Sequence, residues 1–587
     1  MWAWNAHLPN LEWAMDRAII KFAIQSPETI SQLHVLEPLG ITYYQNKLDE
    51  APLYSADSTL KKIKANLAEL HSYQRDQLSE QQKLSYDTAD WLLQRMIVGL
   101  EKWRYHNYTI NPIYGVQTSF LGFMDTGNIV NNLTDAQNYN QRLSKVKIKY
   151  AQTIEGLKLR EEHGVIPPTF IVKKILKELT DFVAKPAEAC VLYTGLKAKL
   201  EKTNISTEDQ AAILADTKIR IQADVYPAYQ ALINYFTQLE PKTSQDAGVW
   251  KFPDGDAFYN YALQLFTTTD MSPQQIHALG LNEVERIKNE MRIILSEQGY
   301  DTTQSISHLM QTLANEPRFL YPDTDSGREQ ILNDYRKIIS DMSHALPDWF
   351  IDLPKFSVRV EAVPAYKAKN SPRAYYYGAA MGSGRDGVFY ANLNDIKATP
   401  KFDMKTLAYH EAIPGHHLQY SIAQQNSEIP IFRRSGAFIA YVEGWALYIE
   451  RWAHEAGFEN DPYDNLGRLN AELFRAVRLV VDTGIHSQRW TRDQAVDYMK
   501  ANTGKTDSEI ETEVDRYIIF PGQACAYTVG MLEIVKLREL AKQKLGDKFD
   551  IREFHSVILK SGAMPLALLD DVVNKWIEQK LAAIHSQ

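Results

Sequence analysis

The stretch HEAIPGHH, which begins at His410, constrains the chain more than any other part of its sequence. The residues before it, from Met404 to Tyr409, have the pattern of a helix. A His–Glu pair on a helix, with a second histidine about one turn later, is how zinc hydrolases supply two imidazole ligands and a general base. The stretch therefore predicts a metal site in which His410 is a ligand and Glu411 is the base.

The histidine spacing departs from the regular pattern. The second histidine usually stands four residues after the first, but that position is Pro414 here, and the next histidines are His416 and His417. On an ideal helix, the first of these points roughly 120° away from His410, and the second lies about 10 Å along the axis. Proline followed by glycine interrupts helices, so we expect a distorted helix at 413–415. The alternative is a chance cluster of histidines at a broken helix end.

A third metal ligand is predicted in the segment YVEGWALYIERW, residues 441–452. Glu443 and Glu450 are seven residues apart, on one face of the expected helix. A glutamate within an aromatic and aliphatic helix is costly to bury unless something neutralises its charge, and zinc would do so. The alternative is that Glu443 forms an ion pair with Arg433 or Arg434.

Two later residues are candidate hydrogen-bond donors to a negatively charged transition state. His486 lies one turn after Asp482 in the apolar helix RAVRLVVDTGIHSQRW, where Asp482 or Arg478 could orient it. Tyr527 lies at the start of another helix, within PGQACAYTVG. The alternative for His486 is a core histidine with satisfied hydrogen bonds.

The hydrophobic pattern predicts a mainly α fold with a small antiparallel sheet. Amphipathic helices extend from about residue 15 to 346, and strand-like alternation follows at 356–364, 373–381 and 387–393. Helical patterns resume at Lys405. We therefore predict a helical scaffold region, 1–350, and a catalytic region, 351–587. Because no linker-like segment separates them, they are expected to form one continuous unit.

Four segments together resemble the bacterial DUF885 family of predicted metallopeptidases: HEAIPGHHLQ, EGWALYIE, VDTGIH and PGQACAYTVG. FHSVILKSGAMPL resembles the family's C-terminal signature, and GVIPP its N-terminal half. The resemblance implies a large multi-helical fold similar to the gluzincin peptidases. The family's second histidine directly follows Pro-Gly, which favours His416 as the ligand, with His417 as the runner-up. Many members of the family are envelope lipoproteins.

The predicted function is hydrolysis of peptide bonds by zinc-activated water. His410, His416 and Glu443 would hold Zn²⁺, with Glu450 as the alternative third ligand. Glu411 would transfer the proton, and His486 or Tyr527 would stabilise the oxyanion.

The same comparison with gluzincins predicts how a peptide substrate would be held. Gluzincin-like sites pair an extended substrate with an edge strand, a role we assign to Tyr390, Ala391 and Asn392. Arg373 or Arg385 could clamp a substrate carboxylate, or either could be a solvated loop charge.

Two other functions remain open at this point. The same zinc chemistry would serve an amidase or a cell-wall peptide hydrolase. Alternatively, the Pro-Gly insertion has left a non-catalytic helical binding protein with a degenerate metal site.

Composition limits the partners. The 587 residues carry a net charge of −9, which argues against nucleic acid as a partner. No run of 18 apolar residues is present, so no membrane span is expected. The first residues match neither a signal peptide nor a lipobox. That predicts the cytoplasm for a complete chain, or the periplasm or cell envelope if a leader was removed. Nothing in the sequence indicates a particular oligomeric state.

Overall fold

Helices dominate the chain, as the hydrophobic pattern predicts. A computed structural model describes residues 8–33, 36, 40–364, 368, 371–378, 385–434 and 436–585. Within them, three short strands form the sheet and most other residues are helical. The expectation of a mainly α fold is therefore confirmed.

The chain divides into two compact units. The first comprises the described residues of 1–73 together with 92–247 and 251–255. The second comprises 74–91, 248–250 and the described residues from 256 onwards. The sheet and the helices of the predicted metal site therefore share a unit with the helices from 256 to 350, which the sequence analysis assigned to the scaffold region.

The first unit is helical. Its α-helices are α1 (Leu11–Ala23), α2 (Pro27–Leu33), α3 (Ala56–His71), the later part of α4 (Glu80–Lys102), α5 (Val116–Gly122), α6 (Leu133–Glu162), α7 (Thr169–Val183), α8 (Val191–Leu200), α9 (Thr207–Arg220) and α10 (Tyr226–Leu239). The Asn132 side chain caps α6 by accepting from the Asp135 N–H. Buried residues of α6 include Tyr150, whose ring contacts that of Tyr229 in α10 at 5.1 Å between centroids.

The second unit contains the sheet and the remaining helices. These helices are α11 (Gly255–Thr267), α12 (Pro273–Glu297), α13 (Ile306–Ala314), α14 (Asp325–Trp349), α15 (Met404–Glu411), α16 (His416–Gln425), α17 (Ile431–Arg434), α18 (Ile439–Glu455), α19 (Pro462–His486), α20 (Arg492–Asn502), α21 (Asp507–Ile519), α22 (Ala526–Leu545), α23 (Ile551–Ser561) and α24 (Leu566–His585). A capping box between Ser272 and Gln275 starts α12, as the Ser-Pro-Gln-Gln sequence predicts.

The sheet is mixed, which corrects the expectation of a purely antiparallel one. Its strands are β1 (Val358–Ala362), β2 (Ala374–Tyr377) and β3 (Gly387–Ala391), in the order β1-β3-β2. β3 pairs parallel with β1 and antiparallel with β2. Alternation of side chains identifies strands, but it does not determine which strand lies in the middle.

Close packing between α18 and α22 fixes the position of the EGWA segment. A Cβ atom at Gly444 would lie 2.5 Å from the backbone of Gly530, and one at Gly530 would lie 1.9 Å from the Ala440 carbonyl oxygen. Only glycine allows two helix backbones to approach so closely. Glu443, the neighbour of Gly444, is thereby held on a helix with little freedom to move.

Among the described residues, no single helix is long and apolar enough to cross a membrane. Asp507–Ile519 and Gln523–Lys548 are together long and apolar enough by length and composition alone, but the chain bends by 112° between the two segments.

Candidate metal centre

The helix that carries the HEAIPGHH stretch is interrupted where the sequence predicts it. α15 ends at Glu411 and α16 begins at His416, and the Ile413–Pro414 peptide bond between them is cis. The turn brings the chain back on itself, so that a Cβ atom at Gly415 would lie 1.9 Å from the His410 carbonyl oxygen. The Trp445 indole N–H of α18 donates to the Pro414 carbonyl at 3.1 Å. The turn is therefore held by both its own backbone and the EGWA helix.

The interruption brings three predicted ligands together. Nε2 of His410 and Nε2 of His416 each lie 3.5 Å from Oε2 of Glu443. Ligand atoms of the three residues lie within 4.8 Å of one another. Two imidazoles and one carboxylate are a donor set that zinc hydrolases use, with a further position left for water or substrate. The residues present therefore fit a zinc ion.

Arg433, one alternative partner for Glu443, is engaged elsewhere. Its guanidinium is fully buried and donates to the Ser85 hydroxyl at 3.0 Å and to the Ser561 carbonyl. The carboxylate of Glu443 instead faces the two histidines.

Glu450 orients a ligand and does not itself join the cluster. Its Oε1 lies 2.6 Å from Nδ1 of His410, and the side chain is buried. A carboxylate that accepts from Nδ1–H keeps the proton there and leaves Nε2 available for a metal. Glu443, two turns earlier on the same face of α18, takes the place of the third ligand, so the alternative that Glu450 fills it is wrong.

His417, the runner-up for the second ligand, points into the sheet region. Its Nε2 lies 3.0 Å from the Phe356 carbonyl and its Nδ1 lies 3.1 Å from the Tyr376 hydroxyl. Burial lowers the pKa of His417, so the neutral ring donates to Phe356 and accepts from Tyr376. With both nitrogens engaged, His417 has none left for a metal, and the runner-up assignment is wrong.

Glu411 faces the outer edge of β2. Its Oε2 accepts a hydrogen bond from the Tyr376 backbone N–H at 2.9 Å. Sequence reasoning missed both Tyr376 and Tyr420. The two rings are stacked with centroids 6.3 Å apart, and the Tyr420 ring also lies 6.1 Å from that of His416. The available signals were that Tyr376 lies within a predicted strand and that Tyr420 stands four residues after His416. Neither was distinctive, because tyrosine is common in this chain.

Two carboxylates, those of Glu443 and Glu450, surround the His410 ring. Burial lowers the pKa of His410, but hydrogen bonds with Glu443 and Glu450 outweigh burial and raise it to about 10. Burial raises the pKa of Glu443, yet His410 and His416 hold it well below its usual range. Two carboxylates converging on one buried imidazole create a site that favours a cation, whether a proton or a metal ion.

His486 is a core residue, which corrects its assignment as an oxyanion donor. It is fully buried, and its Nδ1 accepts from the Val249 N–H at 3.1 Å while Nε2 donates to the Tyr517 carbonyl at 2.9 Å. Burial lowers its pKa to about 4. Asp482 does not orient it, because that carboxylate accepts from the Tyr259 hydroxyl at 2.6 Å and from a backbone N–H. His486 therefore has no proton to offer a substrate.

Tyr527 lies on the helix that packs against the EGWA segment. It is one turn before Gly530, whose backbone contacts Gly444, and the Arg478 guanidinium lies 4.7 Å from its ring centroid. Its role as an oxyanion donor stays a prediction.

The predicted substrate strand is in the wrong place. Tyr390 and Ala391 belong to β3, which is paired on both sides, so they cannot pair with a substrate backbone. The Asn392 amide donates to the Ala368 and Ser371 carbonyls. These residues hold the sheet together, and β2 is the edge strand that meets Glu411.

The two candidate clamp arginines differ. Arg373 donates to Asp403 at 2.8 Å and to the Ala398 carbonyl at 3.0 Å, so it holds the loop before α15. That engagement makes the clamp role wrong for Arg373 as the structure stands. Arg385 is exposed beside 379–384, which lie outside the described residues, and its role stays a prediction.

Comparisons with known proteins place the chain in a family. Residues 37–573 match the family described as "Bacterial protein of unknown function (DUF885)". The crystal structure of a "putative lipoprotein" from Colwellia psychrerythraea is 33% identical, with a TM-score of 0.92 over 97% of this chain and 99% of that one.

A second solved structure shares the fold at lower identity. It is a "putative lipoprotein of unknown function" from Shewanella oneidensis, with 18% identity and a TM-score of 0.74 over 96% of this chain and 100% of that one. No curated protein matches. Because the family match covers most of its length, the chain belongs to the DUF885 family.

Proposed function

We propose that the protein is a zinc-dependent hydrolase that cleaves peptide bonds, with short peptides as its substrates. The observation that carries the proposal is the convergence of His410, His416 and Glu443 across a helix interruption. Glu450 behind His410 and Glu411 beside it complete the set that such chemistry needs.

His410, His416 and Glu443 would hold the zinc ion. Bound there, zinc would lower the pKa of a water molecule and polarise a substrate carbonyl. Glu450 keeps the proton of His410 on Nδ1, so that Nε2 faces the cluster. His410 and His416 are buried and Glu443 is partly buried, which limits the access of bulk water to the cluster.

Glu411 moves the proton. One carboxylate oxygen is fixed by the Tyr376 N–H, which leaves the other able to accept a proton from attacking water and to pass it to the leaving amine.

The outer edge of β2 supports an extended peptide as the substrate. The Arg373 carbonyl accepts from the Asn392 N–H, so the backbone groups of Arg373, Tyr375 and Tyr377 face β3. Those of Ala374 and Tyr376 therefore face away, towards Glu411. Because the Tyr376 N–H already bonds Glu411, a peptide laid along β2 would pair with the Ala374 N–H and carbonyl and with the Tyr376 carbonyl, beside the proton-transferring carboxylate. This moves the substrate role from β3 to β2.

Similarity to two proteins described as putative lipoproteins favours cell-envelope peptides as a second candidate substrate class. An amidase or cell-wall peptide hydrolase would use the same residues in the same roles. A non-catalytic binding protein would not need a carboxylate fixed beside the edge strand β2, as Glu411 is.

Metal analysis combined with a peptide-pool assay tests the proposal. The purified protein is expected to bind about one zinc per chain and to hydrolyse linear peptides from a mixed pool. Glu411→Gln should keep that zinc and lose about 10²–10⁴-fold in rate, because only proton transfer is removed. Glu361→Gln, at an exposed carboxylate of β1, is the matched control and should behave as the parent protein does.

The pool distinguishes the candidate functions. Cleavage restricted to peptides with cell-wall crosslinks or D-residues would favour the second substrate class. Full zinc occupancy without hydrolysis of any member, or no zinc under saturating metal, would refute the proposal.

A further inference from the structure

A groove runs between α14 and β1 in the second unit. The cavity has a volume of about 580 Å³. Five residues of one face of α14 form its first wall: Arg336, Ile339, Ser340, Ser343 and Leu346. Residues 353–360 form the second wall. The helical wall extends from Arg336 to Leu346, ten steps along the helix, so the groove is about 15 Å long.

The strand that lines the groove has an open edge. β1 is the first strand in the order β1-β3-β2, so within the described residues it pairs on one side alone. The Ser357 carbonyl accepts from Gly387 and the Val363 N–H donates to Ala391, so alternate residues starting at Ser357 face β3. The backbone groups of Val358 and Val360 therefore face away from the sheet. These are donors and acceptors that another strand could use.

The groove combines apolar side chains with serine hydroxyls and three cationic side chains. Its lining contains Arg336, Lys355 and Arg359 but no carboxylate. The two arginines form exposed ion pairs with Glu329 and Glu361. Such pairs contribute little to stability, so the arginines can exchange them for a ligand carboxylate at small cost.

Large apolar side chains are exposed at the same place. Ile351, Leu353 and Phe356 are 56%, 41% and 43% exposed within six residues of chain, and the last two line the groove. Contiguous exposed apolar surface of this kind marks binding sites.

We propose that this groove binds an extended peptide segment that carries acidic side chains, which adds a strand to the free edge of β1. A length of about 15 Å accommodates about four or five extended residues. Backbone pairing supplies the geometry, alternate side chains enter the groove against its apolar residues, and the carboxylates meet Arg336, Lys355 and Arg359.

The groove is distinct from the metal centre. β1 and β2 are opposite edges of the sheet, and the outer side of β2 is the one that meets Glu411. Among the described residues that line the groove, Ile413 belongs to the metal turn, and Phe356 reaches it through its carbonyl, which accepts from His417. The inference therefore goes beyond the proposed hydrolase and holds whether or not the protein binds zinc.

Peptide binding to the full-length protein tests the inference directly. The probe is a fluorescein-labelled five-residue peptide of alternating valine and glutamate, blocked at both ends and titrated in the presence of a zinc chelator so that it is not cleaved. Saturable one-to-one binding is expected. The double variant Lys355→Glu/Arg359→Glu should weaken it about tenfold or more. Lys337→Glu, an exposed residue of α14 outside the groove, is the matched control and should change nothing.

Two N-methylated peptides test the strand geometry. One carries methyl groups on its odd amides and the other on its even amides. Because only alternate amides can face β1, one of the two should lose binding and the other should keep it. Hydrogen exchange at the Val358 and Val360 amides should slow when the unmodified peptide binds.

The contrary outcomes are equally definite. Equal binding of a valine–lysine peptide, or equal binding of both N-methylated peptides, would overturn the proposal. Binding of decanoate without the peptide would identify a site for amphipathic carboxylates instead. If the charge-reversal variant does not fold, Ser340→Trp fills the groove from an exposed position and should abolish binding.

Discussion

His410 and His486 are both buried histidines of the second unit, and each has a carboxylate nearby in sequence or space. Nδ1 of His410 bonds Glu450, and its Nε2 faces Glu443 and His416. Both nitrogens of His486 instead bond backbone groups. Carboxylates raise the pKa of His410 despite its burial, whereas burial lowers that of His486. The difference shows that a histidine is available for chemistry only when the fold leaves one nitrogen without a backbone partner.

The largest effect expected from this contrast is at Glu443. Glu443→Gln removes the negative charge shared by His410 and His416, so bound zinc and hydrolysis should both be lost. Elemental analysis after dialysis and the peptide-pool assay measure the two losses. Glu539→Gln, an exposed glutamate of α22, is the control and should keep both. Zinc retained at normal affinity by Glu443→Gln would remove Glu443 from the ligand set.

A smaller effect is expected at Glu450. Glu450→Gln keeps the size of the side chain but weakens its hold on Nδ1–H of His410. Replacing such a supporting carboxylate costs about 10–100-fold in metal affinity or activity. Competition with a zinc chelator measures the affinity, and excess zinc should restore most of the activity. If excess zinc restored nothing, Glu450 would have a role beyond orienting His410.

The sequence predicts features of His410 and His486 that depend on neighbouring residues, and it misses those that depend on residues far away in the chain. The helix interruption was predictable because Pro414 and Gly415 act on their own neighbours. The meeting of His410, His416 and Glu443 was anticipated from the motif and the family resemblance. The bonds of His486 come from Val249 and Tyr517, which are 237 and 31 residues away, and no local pattern announces them.

The sheet shows the same division between local and distant information. Alternating side chains predicted all three strands, because a period of two is a local property. Strand order was not predictable, and it is the order that moves the substrate role from Tyr390 to the edge strand containing Tyr376. Tyr376 itself was missed because its contact with Glu411 crosses 35 residues.

At His486 the expected effect is on stability rather than on chemistry. His486→Ala leaves the Val249 N–H and the Tyr517 carbonyl buried without partners, and it opens a cavity. The free energy of unfolding should fall by about 3–5 kcal/mol. Denaturant unfolding measures this loss.

Catalysis separates the two interpretations of His486. The folded fraction of His486→Ala should keep its zinc, and its kcat should stay within about threefold of the parent value because the residue touches no reacting atom. His486→Gln, which offers one acceptor and one donor, should recover part of the stability. A fall in kcat of about 100-fold or more in a fully folded His486→Gln protein would return His486 to the active site.

The smallest effect is the pH dependence that His486 contributes. Its pKa is about 4 in the folded protein, and the ordinary value is 6.5. Between these values the unfolded chain binds a proton that the folded chain does not, so acid favours unfolding. The contribution is fully present above pH 6.5 and is lost as the pH falls towards 4, amounting to about 3 kcal/mol at most.

Unfolding of the parent and of His486→Gln should be compared across this range in the presence of a chelator. Both proteins keep His410 and His555, whose own pKa shifts therefore cancel in the difference. The parent should lose more stability than the variant as the pH falls, and equal slopes would mean that His486 titrates normally and is not sealed in the core.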